Sequence, residues 1–213
     1  MHTIATREQL GAAVAGLIAI EPRFAGVVAA HGLPPLRAMD GGLAGLLRIV
    51  TDQMISLRAG QAIWLRLAAE LHPFDPVQLV RLEISSFMRM GLSAAKARTF
   101  IAAAQAVAEG LLNFETLHRL SDEDALAKLT SLSGIGPWTA DIYLLGAMAR
   151  RDAWPSGDLA LQVAAQHLFG LTGRPDGRAM SLLAETWRPW RAVAARLLWS
   201  HYRGLRGISQ SVP

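Results

Sequence analysis

Helical periodicity is the feature that most limits what this chain can fold into. Apolar residues recur at spacings of three and four along most of its 213 residues. No segment shows the sustained apolar/polar alternation of a half-buried strand. With 52% apolar and 18% charged residues, the chain can also bury a full core. The sequence therefore predicts an all-α fold, as one compact unit or as two small lobes.

Start and stop signals separate the helical segments. Asp75, followed by a proline, is typical of a helix start, and that helix is expected to end near Gly91. Ser93 can cap the next helix, which runs to a stop at Gly110. Ser121 opens a third helix, whose first turn carries three acidic residues that suit the helix dipole.

Composition excludes several classes of site. The chain has no cysteine, which excludes disulfides, cysteine-ligated zinc and iron–sulfur clusters. Its six histidines are scattered, without a paired spacing that would hold a catalytic metal. The formal charge is +4, and 19 of the 21 basic residues are arginine. This balance fits a phosphate-bearing partner, and it equally fits a bias in genome composition.

Hydropathy patterning predicts the location of the protein. The longest uncharged run, residues 159–173, contains two glutamines and a histidine and is shorter than the roughly 20 apolar residues of a membrane span. The apolar stretch at 11–20 is bracketed by Glu8 and Glu21, unlike a secretion signal. We expect a cytoplasmic, nucleoid-associated protein with no membrane contact.

The most informative segment is L-S-G-I-G-P-W-T-A, residues 132–140. Gly134 and Gly136 are expected to supply positive φ angles and to let the turn approach another backbone closely. Pro137 suits the first position of a helix, where a missing N–H costs nothing. The amides of that first turn would then point outward at a positive dipole end and bind phosphate without base contacts. The alternative is an ordinary tight connection between two helices.

Asp158 follows Trp138 by twenty residues, in the segment W-P-S-G-D-L-A-L-Q at the start of the next helical run. Aspartate is a preferred N-cap, and the helix dipole stabilises its ionised form. A carboxylate is a good partner for the positive charge that develops on a sugar when an N-glycosidic bond breaks. Asp158 is therefore predicted to stabilise that cation, to orient or activate water, or to do both.

The hairpin, the helix after it and the aspartate just beyond resemble the helix-hairpin-helix superfamily of DNA glycosylases, and in particular its DNA-3-methyladenine glycosylase II family. Three other segments agree, and with the hairpin they cover residues 45 to 200. V-T-D-Q-M-I-S-L-R-A at 50–59 is similar to the family's Q-x-x-S-x-x-A segment, and G-L-S-A-A-K-A at 91–97 to its G-[LM]-x-x-x-K-A element. R-P-W-R-A-V-A-A-R-L-L-W at 188–199 looks like the family's closing helix.

The resemblance implies two helical lobes flanking a cleft for DNA and for a base flipped out of the duplex. One lobe would span residues 42–150 and hold the helix-hairpin-helix at about 121–150. The second would comprise residues 1–41 and 151–213 and carry the catalytic Asp158.

The resemblance also implies which residues meet the DNA. Met54 would fill the space that the flipped base leaves, although a core methionine beside Ile55 is an equal alternative. The indole faces of Trp138 and Trp199 would line the base pocket, with core packing as the alternative for each. Tyr143 is a further pocket candidate, and Trp187 and Trp190 are read as packing residues. The residues expected to contact DNA are Gln53, Met54, Lys96, Gly134, Gly136, Trp138 and Thr139.

Trp138 stands where strand-cleaving glycosylases carry a lysine. An indole cannot form a Schiff base with the sugar, so the resemblance implies a monofunctional enzyme that leaves an abasic site. Cationic alkylated purines suit indole faces, which makes 3-methyladenine and 7-methylguanine the expected substrates. Ile142 stands where the family often has an aromatic residue, so deaminated or etheno bases are an alternative. A non-catalytic DNA-binding module is a further alternative.

Few other ligands are expected. The resemblance implies that the backbone carbonyls of Thr130, Leu132 and Ile135 can hold a structural Na⁺ or K⁺ that bridges to a DNA phosphate, and no other cofactor is expected. The expected partner is damaged double-stranded DNA, bound by a monomer.

Overall fold

The computed structural model describes residues 3–36 and 39–207; the parts of the predicted lobes at 1–2, 37–38 and 208–213 lie outside these ranges. The all-α prediction is confirmed. Within the described ranges the β-structure is limited to one isolated antiparallel bridge, between Thr3 and Arg150. None of the described helices is long and apolar enough to cross a membrane. The chain divides into two compact units, one of residues 39–148 and one of residues 1–38 with 149–213.

The unit of residues 39–148, called the hairpin unit below, is built around a central helix, α7 (Ala94–Ala108). Phe100 of this helix packs edge-on against Phe87, with ring centroids 5.7 Å apart, and both rings are fully buried. The helices of the hairpin unit are α3 (Gly42–Asp52), α4 (Leu57–Leu71), α5 (Pro76–Val80), α6 (Ile84–Arg89), α7 (Ala94–Ala108), α8 (Phe114–Arg119), α9 (Asp122–Thr130) and α10 (Pro137–Gly146).

One predicted helix is wrong. The sequence predicts a single helix from Asp75 to about Gly91, whereas the chain forms α5 and α6 with a break at residues 81–83. Both short helices pack on α7, and each buries one large side chain, Leu79 and Phe87. The turn lets both side chains reach the core, so tertiary packing overrides the local helical preference.

The second unit, called the aspartate unit below, packs its helices around an aromatic core. Trp187 is fully buried, as predicted for a packing residue, and its ring contacts those of Phe24, Trp154 and Phe169 at centroid distances of 5.4, 5.5 and 5.4 Å. Its helices are α1 (Arg7–Ile20), α2 (Phe24–His31), α11 (Leu159–Phe169), α12 (Gly177–Ala184) and α13 (Arg191–Leu205), with a 3₁₀ turn at Glu185–Trp187.

The predicted helix caps are confirmed. The side chains of Asp75, Ser93, Ser121 and Asp158 each accept a hydrogen bond from the amide three residues further along the chain. Each of these bonds satisfies an amide of the first helical turn that has no partner within the helix.

Candidate active site

Asp158 lies at the N-terminus of α11, where two N–H groups hold the same carboxylate oxygen. Its Oδ1 accepts the backbone amide of Leu161 at 3.0 Å and the indole Nε1–H of Trp199 at 3.2 Å. The helix dipole adds positive potential at this position. Two N–H donors and a dipole together stabilise the negative charge that the proposed chemistry requires.

The loop before Asp158 is anchored at its start by Trp154. This side chain is buried, and its Nε1–H donates to the carbonyl of Met180 at 3.2 Å. At the other end of the loop, the amide of Asp158 donates to the carbonyl of Pro155 at 2.9 Å. Sequence reasoning missed this role for Trp154, and the only available signal was the Trp-Pro pair that opens the segment.

Trp199 makes a hydrogen bond that its predicted place in the base pocket did not include. The side chain is half-buried on α13, and its polar edge is directed at Asp158. The structure therefore places this indole as a hydrogen-bond donor to the carboxylate within the aspartate unit.

The hairpin between α9 and α10 depends on Gly134. Its φ angle is +83°, in the left-handed region that favours glycine. A Cβ at this position would collide with Oγ1 of Thr99 on α7. The turn closes with the amide of Ile135 donating to the carbonyl of Leu132 at 3.1 Å, and the buried Ile135 side chain fixes the turn to the core.

Gly136 differs from the expectation that both glycines supply a positive φ. Its φ is −88° and its ψ is 173°, an extended conformation that any residue adopts. A Cβ here would meet nothing within 4 Å. The absent side chain therefore leaves open space at the N-terminus of α10, and within the described residues no side chain caps this end. Pro137 opens the helix, as predicted.

Gln53 and Thr139, both expected to contact DNA, bind each other. The side-chain amide of Gln53 donates to Oγ1 of Thr139 at 2.7 Å. Thr139 is only 2% exposed, so its side chain is part of the core of the hairpin unit. This bond links the start of α10 to the turn that follows α3.

Met54 lies at the tip of that turn and is 100% exposed. This excludes the core-methionine alternative. Its φ angle is +55°, and a non-glycine residue in this region costs roughly 1–2 kcal/mol. Such strain persists only where surrounding contacts fix it, and it concentrates at functional positions.

Lys96 has a different environment from the one expected of a DNA contact. Its Nζ donates to the carbonyls of Thr51 and Gln53 at 2.8 and 2.7 Å. It thus caps the C-terminus of α3, where the negative end of the dipole suits a cation. Burial lowers the pKa of Lys96 below its ordinary value, and the charge of Asp52 opposes that change.

Comparisons with known proteins identify sequence relatives and structures of the same fold. No protein-family model matches the chain. Its sequence is similar to DNA-3-methyladenine glycosylase 1 of Schizosaccharomyces pombe, with 28% identity over 72% of this chain and 69% of the relative. The chain spans less than half the length of relatives from Bacillus subtilis and Escherichia coli, covering 43, 42 and 41% of them.

Two solved structures match this chain over a larger share of their own length than these sequence relatives do. The crystal structure of a DNA-3-methyladenine glycosidase from Bacillus halodurans superimposes with a TM-score of 0.78 and 26% identity, over 92% of this chain and 91% of that one. The chain is therefore similar in sequence and in fold to DNA-3-methyladenine glycosylases. The 3-methyladenine DNA glycosylase of Schizosaccharomyces pombe, solved in complex with abasic DNA, has the same fold, with a TM-score of 0.80 and 24% identity over 91% of this chain and 96% of that one.

Tyr143 lies in the core of the hairpin unit, contrary to its predicted place in the base pocket. The side chain is 0% exposed, its ring packs against Phe114 with centroids 5.7 Å apart, and its hydroxyl donates to the carbonyl of Gly42 at 3.4 Å. Burial raises its pKa to about 12. A ring with no exposed face cannot stack on a base.

Trp138 and Trp190 are both half-buried but differ in their surroundings. Trp138 is half-buried at the second position of α10, so part of its indole reaches the surface of the hairpin unit. Trp190 is also half-buried, and it packs so closely on Gly16 that a Cβ there would lie 2.8 Å from its Nε1. This close packing confirms Trp190 as a packing residue.

The hairpin carbonyls have the chemistry that a monovalent cation needs. They are hard oxygen donors, and the Leu132 carbonyl, which accepts the Ile135 amide, keeps a second lone pair. Among the described residues, no group of three or more His, Asp or Glu side chains is placed to bind a metal.

Proposed function

We propose that this protein hydrolyses the N-glycosidic bond of alkylated purines in duplex DNA, with 3-methyladenine and 7-methylguanine as substrates, and leaves an abasic site for base excision repair. The observation that carries the proposal is the carboxylate of Asp158, held at a helix N-terminus by Leu161 and Trp199. The relatives and the solved structures are 3-methyladenine glycosylases by name, which supports the substrate class.

Each reaction step has an identified group. An alkylated purine carries a positive charge and departs as a neutral base, taking the electron pair of the bond between sugar C1′ and the ring nitrogen. The sugar becomes cationic, and the fixed negative charge of Asp158 stabilises it. Water then adds to C1′, and its proton passes to the carboxylate or to solvent. Because the base is already a good leaving group, a strong general acid is not required.

The hairpin unit would supply the DNA contacts. The open space at Gly136 and the positive end of α10 suit a phosphate of the backbone. Met54 would enter the base stack as the lesion flips out, since it is fully exposed and flexible. The half-buried Trp138 would stack on the cationic base.

A monovalent cation would reinforce the grip on DNA. The carbonyls of Thr130, Leu132 and Ile135 would hold Na⁺ or K⁺, which supplies positive charge next to a DNA phosphate. The monomeric state and the nucleoid-associated location remain predictions of the sequence.

We also propose that the protein has no strand-cleaving activity, since Trp138 offers no amine for a Schiff base. The protein is incubated with abasic DNA and sodium borohydride, with a strand-cleaving glycosylase as positive control. We expect no covalent complex of this protein, and a trapped complex would contradict the proposal.

The test of the catalytic proposal is Asp158→Asn. Asparagine can still accept the Leu161 amide and cap α11, so the fold should be kept. We expect single-turnover release of 7-methylguanine to fall by at least about 100-fold, while DNA affinity changes little. Asp176→Asn is the matched control, since Asp176 caps α12 in the same unit through the Ala179 amide at 2.8 Å.

The outcomes separate the alternatives. Release by Asp158→Asn within tenfold of the wild-type rate would remove the proposed mechanism. The wild-type protein is also assayed on duplexes carrying alkylated, deaminated and etheno bases. Activity confined to deaminated or etheno bases would change the substrate class, and DNA binding with no release from any duplex would identify a binding module.

A further inference from the structure

The turn that presents Met54 is held tightly at both ends. This wedge turn, residues 53–56, joins α3 to α4. At its far end the Ser56 hydroxyl caps α4 by accepting the amide of Ala59 at 3.2 Å. The two helices approach so closely that a side chain on Gly60 would collide with the carboxylate of Asp52. Between these fixed ends, Met54 is fully exposed and has a φ of +55°.

Exposure deprives Met54 of the packing that usually fixes a strained residue. Its conformation must therefore be set by the backbone on either side of it. The peptide group that joins Gln53 to Met54 is decisive, because the φ of Met54 is measured from that plane. The carbonyl of this peptide group accepts the ammonium of Lys96 at 2.7 Å.

Lys96 grips the turn from a separate and rigid element. It lies in the first turn of α7, where its own amide donates to the Ser93 hydroxyl at 3.3 Å. The ammonium also donates to the carbonyl of Thr51 at 2.8 Å, so it joins the last turn of α3 to the peptide before Met54. A second tie comes from the side chain of Gln53, which reaches Thr139 on α10.

The competing role for Lys96 is direct contact with a phosphate. Two of its three ammonium hydrogens are already directed at backbone carbonyls of the protein. The side chain is half-buried, and burial lowers its pKa. Both observations favour an internal role over a surface charge that waits for DNA.

We propose that Lys96 is a positioning residue for base flipping, which holds the wedge turn so that Met54 meets the duplex in one conformation. This inference rests on the proposed function of Met54 as the wedge. Lys96 then affects the reaction only through Met54, because it orders the turn before DNA binds and so lowers the entropy lost on binding.

The experiment is a double-mutant cycle with Lys96→Met and Met54→Ala. Single-turnover excision is measured at saturating protein on duplex DNA. Flipping is measured by 2-aminopurine fluorescence in the Asp158→Asn background, where the signal is not consumed by catalysis. We expect Lys96→Met to lower both the rate and the flipping signal by about tenfold when Met54 is present, and by less than about twofold when it is alanine.

The rival roles give different results. If Lys96 contacts a phosphate, Lys96→Met should weaken DNA binding and reduce the number of ions released on binding by about one. Both effects should then be the same with or without Met54. A purely structural role would lower the melting temperature without the dependence on Met54. Either result would overturn the proposal. Lys128→Met, at the other lysine of the chain, controls for the loss of one positive charge.

The same cycle distinguishes failure of the positioning role of Lys96 from failure of the proposed function of Met54. If Met54→Ala alone leaves excision and flipping unchanged, Met54 is not the wedge, and both proposals fall. If Met54→Ala is impaired but Lys96→Met acts equally in both backgrounds, only the positioning role fails.

Rescue provides an independent measurement. Since the chain has no cysteine, Lys96→Cys can be unfolded, alkylated with 2-bromoethylamine at that site alone and refolded. The product carries a lysine-like ammonium, and we expect it to recover most of the flipping signal that Lys96→Cys loses. No recovery in a folded, fully alkylated protein would contradict the proposal. If Lys96→Met does not fold, Lys96→Arg is measured in its place, because it keeps the charge and the hydrogen-bond donors. A flipping signal of Lys96→Arg as low as that of Met54→Ala would then overturn the proposal.

Discussion

Replacing Gly134 by alanine should damage the hairpin, whereas the same change at Gly136, two residues away, should not affect stability. Gly134 has a φ of +83°, and its missing side chain leaves the space that Thr99 occupies. Gly136 is extended, and no atom lies within 4 Å of the position its Cβ would take. The two variants therefore separate the effect of a glycine on the stability of the fold from its effect on the binding of a phosphate.

The magnitude for Gly134→Ala has two parts. The left-handed conformation costs a non-glycine residue roughly 1–2 kcal/mol. Forcing a methyl group against the Thr99 hydroxyl on α7 adds roughly 1–3 kcal/mol of overpacking. We expect a total loss of about 2–5 kcal/mol, or a fall in melting temperature on the order of 10 °C for a chain of this length.

The assay is thermal and urea unfolding followed by tryptophan fluorescence and circular dichroism. Gly136→Ala should stay within about 0.5 kcal/mol of the wild type, yet bind duplex DNA about tenfold more weakly, because its methyl group occupies the space proposed for a phosphate. Combining Gly134→Ala with Thr99→Ala removes the colliding hydroxyl. It should recover the steric part of the loss and leave the conformational part.

Two results would refute this reasoning. A Gly134→Ala protein as stable as the wild type would mean that the turn does not depend on a left-handed residue packed against Thr99. Unchanged DNA affinity in Gly136→Ala would mean that the space beside Gly136 is not where a phosphate binds.

Three further predictions concern single side chains. Trp199→Phe removes the indole donor to Asp158 and should lower single-turnover excision about tenfold, since bonds to charged groups contribute about 1.5–3 kcal/mol; an unchanged rate would contradict the orienting role. Met54→Gly should raise the free energy of unfolding by about 1 kcal/mol, because φ is +55°, while lowering excision from duplex DNA; a loss of stability would contradict the strain. Burial raises the pKa of Tyr143 to about 12, whereas an unfolded tyrosine ionises near pH 10. Between these two pH values the free energy of unfolding of the wild type should therefore fall by up to about 1.4 kcal/mol per pH unit more than that of Tyr143→Phe. Parallel plots of unfolding free energy against pH for the two proteins would refute this prediction.

The local features of the fold could be predicted from the sequence because they depend on neighbours in the chain. An N-cap bond joins residues three apart, so Ser93, Ser121 and Asp158 were correctly placed by residue type and position alone. The glycine and proline of the hairpin likewise act on their own backbone. The break at residues 81–83 escaped prediction because it depends on packing against α7.

The sequence by itself determined the all-α class of the fold, the helix caps and the position of the candidate carboxylate at a helix start, since these follow from residue type and spacing. Only the tertiary structure decided that Met54 is exposed and Tyr143 buried, because burial depends on which helices meet. It also decided the partners of Trp199, Thr139 and Lys96, whose bonds join residues 41, 86 and 43–45 positions apart. Most polar groups that packing removes from water bond to a group that lies beside them in space, and no local pattern specifies that neighbour.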